Sequence, residues 1–113
     1  MRRLPKPSPE LARQVLAPLS FKRRLVGHRL HPRLGAIPVS LYSLDEIVAF
    51  LSDVYAQLDL DDLQAWARDS IADHELAAAI SAVAASDSSP FNKNQRLRML
   101  LETRLHQCRK ISL

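Results

Sequence analysis

Apolar residues recur at helical spacing between Leu44 and Leu58: Leu44, Ile47, Val48, Leu51, Val54, Tyr55 and Leu58. At about 100° per residue they cover an arc of roughly 120°, and Asp45, Glu46, Ser52, Asp53 and Gln57 fall outside it. Ser43-Leu44-Asp45-Glu46 has the form of a capping box, and Tyr42 and Ile47 stand where a hydrophobic staple would close it. This pattern predicts a helix that starts after Ser43 and runs through Leu58.

The same reasoning predicts three more helices. Asp59 caps one from about Leu60 to Ile71, with Asp61 and Asp62 in the first turn, where the helix dipole favours acids. Its apolar side is Leu60, Leu63, Trp66, Ala67 and Ile71. Asp73 caps the next, about His74 to Ala85, whose stripe is Leu76, Ile80 and Val83 among alanines. After a loop at 86–90, Asn92 with Gln95 is expected to cap a last helix reaching about Lys110. Its apolar side is Leu97, Leu100, Leu101, Leu105 and Cys108. Arg104 falls inside that arc and must snorkel or find a partner, for which Asp53, Asp59, Asp62 and Asp69 are the candidates. Arg98 projects outward.

Residues 1–42 look different. They hold six of the seven prolines and both glycines, Gly27 and Gly35. Proline fixes φ and removes a donor, so only a short helix fits there: Ser8 as N-cap, Pro9 in the first position, then Glu10 to about Ala17. A further short turn can follow Ser20. The expectation is an all-α protein: a compact bundle of about four helices over 43–113, preceded by a basic, proline-rich irregular arm over 1–42. The bundle domain is expected to fold alone.

From Ser43 onward the chain resembles a small helical family of unknown function found in bacteria and archaea. Ser43-Leu44-Asp45-Glu46-Ile47-Val48 with Leu51 is similar to that family's N-L-x-E-L-L-x-x-I helix. Asp61-Asp62-Leu63-Gln64-Ala65-Trp66 is similar to its N-D-F-A-x-W box, and Ile71, Leu76 and Ile80 fit the leucine spacing that follows. Leu63 stands where the family has an aromatic and Gln64 where it has alanine. The family's longer link between the two helices is missing here, and the basic arm has no counterpart in it. The resemblance implies a helical fold and no catalytic residue.

Charge divides the chain into three blocks. Residues 1–33 carry nine Lys/Arg against Glu10 alone, 34–89 carry ten acids against Arg68, and 90–113 carry six bases against Glu102. Either the acidic middle attracts both ends within the fold, or the arm is held ready for an acidic partner. Lys22, Arg23, Arg24, Arg29 and Arg33 are the expected partner-binding residues.

Nucleic acid is the alternative partner. Arg2, Arg3 and Lys6 extend the first basic stripe, and Lys93, Arg96, Arg98, Arg109 and Lys110 form a second. No recognition motif accompanies them, and Phe21 is the one aromatic for base stacking in the basic block 1–33.

Enzymatic chemistry is not expected, nor is a cofactor or a metal. His28 and His31 lie among arginines that repel a cation, and His106 with Cys108 makes only a second pair. Cys108 is on the apolar side of a helix near its C-terminal end, where the dipole disfavours a thiolate. Trp66, with Leu63 and Ala67 beside it, reads as a core anchor. No apolar run approaches the length of a membrane span, and no signal-peptide core follows the basic N-terminus. A cytoplasmic protein is expected.

Overall fold

The computed structural model describes residues 4–87 and 89–112, the last by its backbone alone. Arg2, Arg3 and Ser88, named above in the basic stripe and the loop, lie outside the described residues. Helix α1 spans Pro9–Leu16, α2 Leu44–Leu51, α3 Leu60–Asp69, α4 His74–Ala84 and α5 Pro90–Ser112. Strands β1 (Leu25–His31), β2 (Gly35–Leu41) and β3 (Ala56–Gln57) form one antiparallel sheet in the order β2-β1-β3.

The sheet overturns the all-α, helical-bundle expectation. Most of it comes from the segment expected to be an irregular arm. Leu25 pairs opposite Leu41 and His31 opposite Gly35. The hairpin turn is closed by His31, whose Nδ1 accepts from the backbone N–H groups of Arg33 and Leu34, each at 3.2 Å. Gly35 follows at φ +75°, a left-handed conformation that glycine adopts without penalty. Pro38 is accommodated because β2 is an edge strand, where a missing N–H costs the ladder least. Gly27 has another role. A Cβ there would lie 2.7 Å from Cε2 of Phe50, so glycine lets β1 lie on that ring without displacing it.

The helix expected through Leu58 stops at Leu51. Ser52 Oγ donates back to the Ala49 carbonyl at 2.6 Å, and Asp53 Oδ1 accepts from the Tyr55 N–H at 2.9 Å. These side chains compete with the helix for backbone groups and turn the chain into β3. Val54 and Tyr55, counted above in the apolar arc, are exposed as a result. The last helix begins earlier than expected, at Pro90. Ser89, rather than Asn92, caps it: Ser89 Oγ accepts from the Asn92 N–H.

Four caps follow the sequence. Ser8, Ser43, Asp59 and Asp73 each accept from a backbone N–H in the first turn of the helix they precede. Helix α1 packs on α5, and α3 on α4. One core joins all the layers. Val15 of α1 and Leu25 and Leu41 of the hairpin are buried with Ile47, Leu63, Trp66, Ile80 and Leu101. Residues 4–42 therefore contribute side chains to the same interior as the helices after Ser43.

Candidate docking site on the basic turn

Between α1 and β1 the chain makes one turn of 3-10 helix, Phe21–Arg23, entered from an extended Ser20. Arg23 N–H donates to the Ser20 carbonyl and Arg24 N–H to the Phe21 carbonyl. The turn is pinned from below. Trp66, buried on α3, donates its indole Nε1–H to the Arg23 carbonyl at 3.1 Å. The ring thus anchors the core and its polar edge fixes the turn.

Arg24 fixes it from the side. Its guanidinium lies 3.6 Å from the Phe21 ring centroid, close enough for a cation–π contact. Nη1 donates to the Phe21 carbonyl at 2.8 Å and Nε to Ser40 Oγ on β2 at 3.1 Å. Phe21 is nevertheless 65% exposed. Lys22 and Arg23 are exposed beside it.

The five basic residues singled out above therefore divide. Arg24 is spent on holding the turn. Arg29, in the middle of β1, pairs through Nε with Asp53 Oδ2 at 2.9 Å. Lys22, Arg23 and Arg33 are exposed, and none forms an ion pair among the described residues. Arg33 lies in the hairpin turn at the far end of β1, so the structure does not gather all five into one cluster.

Part of the charge pattern is internal complementarity. Arg29 pairs with Asp53, Arg104 with Asp73 and Arg109 with Asp45, each joining a basic end of the chain to its acidic middle. Acids also border the candidate site. Arg24, Val26, Trp66, Asp62 and Asp69 bound a cleft of about 350 Å3 next to the turn. A hydrogen bond from the neighbouring Arg68 guanidinium holds the Asp69 carboxyl below its ordinary range, so it stays charged there.

Among the described residues, no three His, Cys, Asp or Glu side chains come together as metal ligands would. His31 uses its Nδ1 in the hairpin turn. Cys108 is buried, and desolvation pushes its thiol pKa up; Asp73 adds to the shift and Arg104 opposes it. A thiol held neutral is a poor nucleophile. No described helix is long and apolar enough to cross a membrane.

Sequence reasoning singled out the cations but missed what organises them. By sequence alone Phe21 reads only as a stacking aromatic. The turn that carries it is held at the Arg23 carbonyl by Trp66, 43 residues beyond Arg23. Comparison with known proteins adds no relative: no family model, no curated protein and no solved structure matches this chain.

Proposed function

We propose that this chain is a non-catalytic accessory protein of the cytoplasm, whose basic turn docks on an acidic surface of a larger protein or assembly. One observation carries this reading. Lys22 and Arg23 are exposed without an ion pair on a turn that Trp66 and Arg24 hold rigid, beside an exposed Phe21. An aromatic with flanking cations on a preorganised backbone is the composition from which interface hot spots are built. The cations supply charge-assisted bonds to carboxylates, and the ring supplies apolar area.

Nucleic acid is the second reading, favoured by the same cations. Against it, no nucleic-acid recognition motif accompanies the cations, and Phe21 is the turn's one aromatic for base stacking. A native pull-down at moderate salt, with and without nuclease, separates the two. The comparison variant is Lys22→Glu/Arg23→Glu, which leaves the structural Arg24 in place. Capture that survives nuclease, and that the variant loses at an unchanged melting temperature, is the expected result. Capture abolished by nuclease would replace the acidic protein partner with nucleic acid. Equal capture by both forms would remove the turn from binding altogether.

A further inference from the structure

Strand β2 lies at an edge of the sheet and carries no charged residue along its seven positions, Gly35–Leu41. Ile37 and Val39 favour an extended chain. Strand edges are usually kept from pairing by short length, by charge or by proline. The opposite edge uses the first of these, since β3 is only two residues long. On β2 length and charge give no protection, and an uncharged segment of this size and composition pairs readily with its own kind. Pro38 is the one guard that β2 contains.

The register decides where that guard points. Leu30 N–H donates to the Tyr55 carbonyl at 3.0 Å, so the even-numbered residues of β1 turn their backbone groups toward β3. The odd-numbered residues of β1 face β2, and their partners Leu41, Val39, Ile37 and Gly35 face back. Ala36, Pro38 and Ser40 therefore turn their backbone groups outward. Beyond them the edge is already taken, because the Tyr42 carbonyl accepts from the Leu19 N–H at 2.7 Å. The open stretch is thus 36–40, with Pro38 at its centre. A second β2 laid antiparallel on all three outward residues would set position 38 opposite position 38, across a two-fold axis. Those two positions would exchange both bonds at the axis, and proline has no N–H to donate to either. We propose that the edge of β2 is a pairing surface for the β2 of a second copy, and that Pro38 holds it closed.

Two variants of the full chain test this, Pro38→Val and Pro38→Lys. Pro38 is exposed and gives β1 no bond, so both variants should fold, and circular dichroism melts check that they do. Each restores an N–H at position 38, but lysine sets like charges together at the two-fold axis. In sedimentation over a concentration series, Pro38→Val should associate at a concentration about tenfold or more below wild type, for the two bonds regained. Pro38→Lys should stay as dispersed as wild type. Hydrogen exchange adds a second readout. The amide at position 38 of Pro38→Val should exchange freely in dilute protein and become protected as concentration rises. A Pro38→Val chain no more associated than wild type overturns the proposal. So does equal association of the two variants, or an amide at position 38 that is already protected in dilute protein, which would place it against β1.

Discussion

Arg104 and Asp73 form a two-bonded ion pair with neither side chain exposed. Nε donates to Oδ2 at 2.8 Å and Nη2 to Oδ1 at 2.9 Å. Asp73 Oδ1 also accepts from the Leu76 N–H and so caps α4. Nη1 of Arg104 turns the other way, to the Pro5 carbonyl at 2.9 Å and Gln107 Oε1 at 3.0 Å. One guanidinium therefore joins α5, the corner before α4 and the N-terminal segment. Charges this deeply desolvated are tolerable only when their hydrogen bonds are filled.

Removing one partner should be costly. Arg104→Ala strands the Asp73 carboxylate and is expected to lower unfolding free energy by about 3–5 kcal/mol. Arg98→Ala breaks only an exposed i,i+4 pair with Glu102 and should cost about 0.5 kcal/mol or less. Urea titrations of the two variants against wild type check the contrast. Similar small losses would contradict the burial of Arg104.

Any side chain at Gly27 is expected to carry a cost. Gly27→Ala drives a methyl group into the Phe50 ring and should destabilise by about 1–3 kcal/mol, read from the thermal midpoint. Adding Phe50→Leu opens space at the contact, so the double variant should lose less than the sum of the two single changes.

Cys108 gives a pH-dependent signature. Burial raises its thiol pKa above the ordinary 9.0, so the folded state holds the proton more tightly than the unfolded chain. The associated stability is complete below that ordinary value and is lost as pH rises through the folded pKa. Wild type should therefore lose more stability between neutral and strongly alkaline pH than Cys108→Ala does. Denaturant melts at matched pH values measure the difference. Thiol-labelling reagents should react with native protein only at the rate at which it opens.

The first 42 residues should prove integral to folding. A chain cut to 43–113 loses Val15, Leu25 and Leu41 from the core and exposes the side of Phe50 on which β1 lies. It is expected to lack a cooperative thermal transition. A sharp, reversible melt from the truncated chain would show the helices after Ser43 to be self-sufficient.

Much of the helical structure is legible in the sequence because capping is local. Ser8, Ser43, Asp59 and Asp73 act within three residues of themselves. The phase of α5 likewise foretold that Arg104 points inward. Its partner was hidden, because capping already accounted for Asp73, and a carboxylate with two oxygens serves both roles. The sheet was hidden for a different reason. β1 buries Leu25 and Gly27 but exposes everything from His28 to His31, so it lacks the alternation of a half-buried strand. Pairing with β2 and β3 decides it, and the local sign of the hairpin, the turn at His31 and Gly35, stands in a stretch whose prolines argue against strands. The basic turn was illegible on the same grounds, because it is held by Trp66, far along the chain.

The bonds from α5 to the N-terminal segment also bear on the speed of folding. Arg104 reaches Pro5 across 99 positions, and Gln107 Nε2 reaches the Leu4 carbonyl across 103. Closing a loop of that span costs about 4 kcal/mol in chain entropy, so these bonds are rewarded only after the intervening elements have assembled. Contacts absent from the transition state leave the folding rate alone and slow the return journey. The clasp is thus a kinetic brake. Weakening it with Gln107→Ala should shorten the lifetime of the folded chain while leaving almost untouched the time it takes to form.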